Sequence, residues 1–409
     1  MNGPTLDTAQ ESRSGLALRA PKARLGGRIP AGQSGAIWTM LRGLRMRGVT
    51  MRALTKTVLA MLLSASLAAS ATAATVGERH LVAHEASAAL RNASHGDELR
   101  ITVWYPAAPG AVEAPLDIGP PGKPLFTPGS AAPDAAFEDA RPRPVILLSH
   151  GFGGSARIMA WFGTALARHG LIVIAVDHPG NNGRDPMTIA GAVLSWERPG
   201  DLATALDTAK SDPTIGPHLD LDRLGAAGFS AGGFTSLVEA GARVDFDRFL
   251  RFCDAHPDDG ICAPQKEFQF SRADAEAFFA QPAATSALAH AKDDLSIPGV
   301  KAAFVMAPGI VQSLDPESLK SMRAPVRILL GDADKVAPPA TNGEVAAALI
   351  PGAKLTILPH VGHYDFLAEC TPAGDATVPV CPTEVPRAAT HKTAIDEALA
   401  FFDATLGAQ

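Results

Sequence analysis

The sequence predicts an α/β fold, a mostly parallel central sheet covered by helices on both faces, with an inserted helical cap segment. Three observations predict it. Apolar runs at 144–149 and 171–176 are of the kind found in strands buried on both faces, and strand-like runs resume at 300–306 and 326–330. Helix-compatible segments alternate with these runs, the pattern of βα units in a parallel sheet. Finally, Gly228-Phe229-Ser230-Ala231-Gly232 places a serine between the apolar run 224–227 and the helix-compatible stretch 234–240.

In chain order, 51–56 is a short basic segment, 57–70 is apolar and rich in Leu and Ala, and Ala71-Thr72-Ala73 fits an A-x-A cleavage site. This is the layout of a secretory signal peptide, and the apolar run is too short to span a membrane. Residues 1–50, rich in Arg and Gly, form an upstream extension, with Met46 or Met51 as alternative starts. The mature domain is expected over 74–409. Within it, 99–105 alternates apolar and polar residues and stops at Pro106, as an early strand does. The stretch 107–144, dense in Pro, Gly and Ala, reads as a long surface loop. After the strand at 144–149 comes His150-Gly-Phe-Gly-Gly, then helix-like 156–169, the strand 171–176 and helix-like 201–210. Residues 243–298 hold mixed charge, aromatics and helix-like 272–279 but no buried-strand run, and read as a cap inserted over the site. Alternation resumes with strands at 300–306, 326–330 and 354–358, a helix at 342–350 and a last helix near 390–406.

Composition is globular, 46% hydrophobic and 19% charged. Residues 1–73 carry ten of the 36 basic and two of the 42 acidic side chains, so the mature part has a net charge of about −14. That balance disfavours nucleic acid and anionic membrane surfaces as partners. No stable membrane insertion is expected once the signal is removed. The four cysteines, 253, 262, 370 and 381, all lie in the mature part, and an even count in an exported chain reads as two disulfides with three connectivities. The sequence-local pairing is Cys253–Cys262 with Cys370–Cys381. A zinc site would need C-x-x-C spacing, which is absent.

A serine on a sharp strand-to-helix turn projects its hydroxyl from the sheet, and flanking glycines let the backbone turn tightly. The helix N-terminus there favours developing negative charge. A hydroxyl is a weak nucleophile until an imidazole takes its proton, and a carboxylate must orient that imidazole. Ligands of such sheets sit at the carboxyl ends of strands. There, 326–330 runs into Gly331-Asp332-Ala333-Asp334, and 354–358 runs into Pro359-His360-Val361-Gly362-His363. Asp332 competes with Asp334, and His360 with His363. His150 and His178 read as loop-shaping hydrogen-bonders, and Trp161 and Phe162 as core. Oxyanion donors are expected at the backbone N–H groups of Phe152 and Ala231.

Together, Val103-Trp-Tyr-Pro106, Ser149-His-Gly-Phe-Gly-Gly154, Val176-Asp-His-Pro-Gly180, Gly228-Phe-Ser-Ala-Gly-Gly233, Gly331-Asp-Ala-Asp334 and Gly362-His363 resemble an α/β-hydrolase over roughly 95–405. The branch they resemble holds dienelactone-hydrolase-like proteins and platelet-activating-factor acetylhydrolases. The resemblance implies Ser230 as nucleophile, Asp334 as acid and His363 as base, in the Ser, Asp, His order of that fold. Dienelactone hydrolases use a cysteine nucleophile, where this chain has serine. The expected activity is that of an exported serine hydrolase, periplasmic or secreted, acting on a small-molecule or lipid ester through an acyl-enzyme without metal or organic cofactor. A catalytically idle hydrolase fold used for binding, and an amidase or peptidase with the same triad, are the alternatives.

Overall fold

The computed structural model describes residues 74–407. The extension expected at 1–50 and the signal peptide expected at 51–73 lie outside the described residues. In chain order the elements are β1 (Val76–His84), α1 (Ala86–Arg91), β2 (Glu98–Pro106), β3 (Ala114–Pro115), β4 (Phe126–Thr127), β5 (Ser130–Pro133) and β6 (Arg143–Ser149). There follow α2 (Ala160–Arg168), β7 (Ile172–Asp177), α3 (Ile189–Val193), α4 (Arg198–Ser211), β8 (Leu219–Phe229) and α5 (Ala231–Glu239). Next come α6 (Phe246–Ala255), α7 (Arg272–Phe279), α8 (Pro282–His290), β9 (Val300–Met306), α9 (Pro316–Ser321) and β10 (Val326–Gly331). The chain closes with α10 (Gly343–Leu349), β11 (Lys354–Leu358), β12 (Glu369–Cys370), α11 (Pro372–Thr377) and α12 (Arg387–Leu406).

The main sheet runs β11-β10-β9-β8-β6-β7-β2-β1-β5-β3. From β11 to β7 all neighbours are parallel, and β2 and β1 then continue antiparallel. The apolar runs are explained by burial on both faces. In β6, Ile146 and Leu148 pack with Phe162 of α2 and Phe402 of α12. Val145 and Leu147, pointing the other way by the period-two pleat, pack with Leu202 and Ala205 of α4. Phe234 and Leu237 of α5 pack with Val305 of β9 and Ile328 of β10. Trp161 and Phe162 are core residues, as expected.

Two local readings change, and one strand comes unannounced by the sequence pattern. The segment 76–84 carries no clear alternation, yet it is β1, because all nine of its residues find partners along β2. Gly77 there lies flat against the Tyr105 ring, where a Cβ would come within 2.3 Å of the ring. The surface loop expected at 107–144 contains β3, β4 and β5, and Leu116, Ala131 and Ala132 are buried. Its prolines read as loop signals, but edge strands tolerate them. The last helix starts at Arg387 rather than near Thr390.

Residues 243–298 are the expected insertion, between α5 and β9. They hold α6, α7 and α8, and no strand lies within them. Both disulfides have the sequence-local pairing, Cys253–Cys262 and Cys370–Cys381. The first ties the end of α6 to the loop after it. The second joins β12 to the segment after α11, and that segment is better anchored than its sparse apolar content suggests. β12 pairs with β4, Thr371 donates to the carbonyl of Pro124 at 2.6 Å, and Cys381 is buried.

Candidate active site

Ser230 caps the end of β8 and precedes the first residue of α5, with φ 56° and ψ −120°. That left-handed φ is costly for a residue with a Cβ and persists only where the surroundings enforce it. Here they do: the Ser230 N–H donates to the carbonyl of Met306 at 2.9 Å. Gly228 and Gly232 are obligatory, since a Cβ on Gly228 would lie 2.2 Å from the Gly232 carbonyl oxygen and one on Gly232 2.0 Å from that of Ser149. The strain aims the hydroxyl at the loop after β11. Ser230 is only 7% exposed, so the serine is recessed rather than at an open surface turn.

Two hydrogen bonds join residues that the sequence holds 133 and 29 positions apart. His363 Nε2 lies 2.8 Å from Ser230 Oγ, and His363 Nδ1 lies 2.7 Å from Asp334 Oδ2. The other carboxylate oxygen, Asp334 Oδ1, accepts the N–H groups of Val336 at 2.9 Å and Ala337 at 2.8 Å. Both Asp334 and His363 are buried, and the Phe229 ring lies 4.8 Å from the imidazole. Between the competing acids, Asp332 is exposed and accepts the backbone N–H of His360 at 2.6 Å. His360 is exposed too, with φ 61°. Asp332 and His360 therefore shape the loop, and only Asp334 and His363 form a chain with Ser230.

Phe152 and Ala231 line the same cavity as Ser230. Among the described residues neither backbone N–H has an acceptor. For Ala231 the cause is its place in the first helical turn, whose N–H groups have no partner within the helix.

A second, fully enclosed arrangement lies beneath the Phe152 loop, and sequence reasoning missed most of it. Ser149 Oγ is 2.9 Å from His178 Nε2, and His178 Nδ1 is 2.7 Å from Asp201 Oδ2. Arg91 grips both oxygens of Asp201, at 2.6 and 2.9 Å. Arg198 donates to the His150 carbonyl oxygen, to Ser149 Oγ at 3.3 Å and to Thr235 Oγ1 at 3.2 Å. His150 accepts the His178 backbone N–H at 3.2 Å. Burial pushes the His150 imidazole well below its ordinary range and that of His178 down to about 3. Both are therefore neutral at pH 7. Burial opposes the charge on Asp201, but Arg91 and the bond to His178 hold it ionised. Sealed from solvent, these groups position the loop that carries Phe152. His150 and His178 act as the sequence suggests; Arg91, Asp201 and Arg198, scattered over 110 residues, have no local signature.

Among the described residues the one cluster with metal-ligand chemistry is Cys370, Asp375 and Cys381, and its two sulfurs are spent in a disulfide.

The cavity that opens on Ser230 has a volume of about 530 Å³, within the range of small-molecule sites. Its far wall comes from the 243–298 insertion, chiefly Phe246, Phe249, Leu250, Phe268 and Phe279. A recessed serine hydrogen-bonded to an imidazole, at a strand-to-helix turn of a parallel sheet, is what comparison with known families then has to match. The sequence profile of the alpha/beta hydrolase family matches residues 145–374, more than half of the chain. The chain belongs to the alpha/beta hydrolase family. Among solved structures this hydrolase is similar to a ferulic acid esterase from Streptomyces cinnamoneus, at 22% identity and TM-score 0.55. The match covers 84% of this chain and 93% of that one, and at such identity it shows a shared fold. No curated protein matches the hydrolase's sequence.

Proposed function

We propose that this hydrolase is an exported serine esterase that cleaves carboxylic esters through an acyl-enzyme. The observation that carries the reading is the continuous hydrogen-bonded chain from Ser230 Oγ through His363 to Asp334. Ser230 Oγ attacks the ester carbonyl while His363 Nε2 takes its proton. Asp334 keeps the His363 Nδ1–H donating to it and stabilises the imidazolium. The N–H groups of Phe152 and Ala231 bind the oxyanion, donors of a kind worth about 2.7–4 kcal/mol each. His363 then returns the proton to the leaving alcohol, and a water activated by the same imidazole hydrolyses the acyl-enzyme. The chain's own residues supply every proton transfer in this sequence.

A serine rather than a cysteine at position 230 supports reading the protein as nearer the acetylhydrolase-like than the dienelactone-like members of the branch it resembles. Residues 74–409 form the mature hydrolase domain and 51–73 the cleaved signal. Two disulfides support an oxidising compartment. Among the described residues no helix is long and apolar enough to cross a membrane.

A fluorophosphonate probe tests the nucleophile. It should label the wild type and leave Ser230→Ala unlabelled, and Ser230→Ala should lose about 10⁶ in kcat on p-nitrophenyl esters. Activity of that variant within tenfold of wild type would remove Ser230 from the mechanism. An unlabelled wild type would point instead to an idle fold used for binding, and labelled enzyme that cleaves only anilides to an amidase.

A further inference from the structure

We infer that the acyl half of the substrate is a bulky apolar group, seated under the 243–298 insertion against α6 and α7. The inference rests on the reading of Ser230 as nucleophile and adds the class of ester.

α6 is amphipathic, yet none of its residues is buried. Phe246, Phe249, Leu250 and Cys253 recur at i, i+3, i+4 and i+7, a stripe that normally faces a protein core. All four line the cavity instead, and Leu250 remains 40% exposed. α7 contributes Ala275 and Phe279, one turn apart, to the same wall. Helix α6 is held in this orientation rather than free to turn its stripe inward. Asp245 accepts the Arg248 N–H at its start, Arg248 Nη1 donates to the Gln312 carbonyl at 2.6 Å, and Cys253 is bonded to Cys262 at its end. Gly260, two residues before Cys262, lies so close to the Lys335 carbonyl, in the Asp334 loop, that a Cβ there would fall 1.8 Å from its oxygen. The apolar stripe is thus pinned facing the nucleophile: Phe246 rests on Trp196 and Phe279, with ring centroids 5.0 and 5.5 Å away, while Leu250 one turn on stays exposed.

The charges around the cavity are few, and most of their polar atoms are engaged, with Arg198 Nη1 left unpartnered among the described residues. Arg272 pairs with Asp254 and with Glu276, and Arg198 bonds to the His150 carbonyl and to Thr235. The apolar wall would penalise a charged acyl group. The acyl half is the part assigned to this wall because it stays on Ser230 in the acyl-enzyme while the alcohol departs.

The test is the chain-length dependence of kcat/KM on p-nitrophenyl esters, with a parallel 4-phenylbutyrate ester to separate an aryl from an alkyl occupant. Each methylene seated on apolar surface is worth about fourfold. The octanoate ester should therefore exceed the acetate by at least about 10²-fold, and either long-chain or aryl ester ranking above acetate supports the inference. Leu250→Glu and Phe249→Ala, both outside the core and compatible with folding, should cut the octanoate-to-acetate ratio by about tenfold. A flat series, a preference for acetate, or an unchanged ratio in both variants overturns it. Fluorophosphonate labelling, run on the same samples, keeps the two readings apart. Labelled enzyme with a flat series refutes the apolar acyl site and leaves the esterase; unlabelled enzyme refutes both.

Discussion

Replacing Asp334 by Asn probes the hydrogen-bonded chain at the point where its geometry is least forgiving. The carboxylate has two jobs at once: Oδ1 accepts two backbone N–H groups, from Val336 and Ala337, and Oδ2 accepts the His363 Nδ1–H. Those backbone groups can only donate. An asparagine must therefore leave its oxygen with them and turn its amide NH₂ toward His363. The imidazole answers by accepting at Nδ1 and carrying its proton on Nε2, pointed at Ser230 Oγ. In that tautomer it has no lone pair to receive the serine proton. The fold should survive, because the side chain keeps its volume and its backbone bonds. The rate should fall by about 10⁴, or about 5 kcal/mol of transition-state stabilisation. Asp332→Asn is the matched control. It is exposed, its one bond is to the His360 N–H, and surface changes of this kind stay within about 0.5 kcal/mol. The assay is kcat/KM on one p-nitrophenyl ester for both variants, with circular dichroism to check folding. Equal losses, or a larger loss for Asp332→Asn, would refute the tautomer argument and move the acid.

Asp201→Ala should cost about 3–5 kcal/mol of stability, because it leaves the buried Arg91 guanidinium and His178 without their partner. Urea unfolding measures it, and a loss below about 1 kcal/mol would show the network to be dispensable. His391, stacked on Trp161 and donating to the Leu367 carbonyl, is held by burial at about 4, below the ordinary histidine value near 6.5. Its neutral form is the one the fold accepts, so its contribution is complete above pH 6.5 and is lost as pH falls from 6.5 to 4. The loss reaches about 3 kcal/mol at most. Unfolding of wild type and His391→Leu across that window should give curves that converge as pH falls; parallel curves would contradict the assignment. Reduction of Cys370–Cys381 removes a constraint nominally worth about 3 kcal/mol. Because β12 pairing and the Thr371 bond to Pro124 remain, ester hydrolysis should fall before the thermal midpoint does. Simultaneous loss of both would mean that the bridge holds the whole domain.

The sequence by itself determined the architecture and the serine. Strands buried on both faces need unbroken apolar runs, covering helices need a different period, and a tight strand-to-helix turn needs glycines around Ser230, so each leaves a local trace. It also narrowed the acid and base to two candidates each, since Asp332, Asp334, His360 and His363 all lie just past strand ends. The family resemblance pointed to Asp334 and His363, and the tertiary structure supplies the physical reason. Burial and the direction of a side chain separate Asp334 from Asp332, two residues away on the same loop, and neither property is written in local pattern. The same holds for β1, whose weak alternation becomes a strand only because β2 offers a complete partner. It holds for Arg91, Asp201 and Arg198, whose charges are tolerated in the interior only through each other. And it holds for α6: its apolar stripe would read as core in any sequence, and what turns it toward a cavity is the anchoring of the insertion on the Asp334 loop.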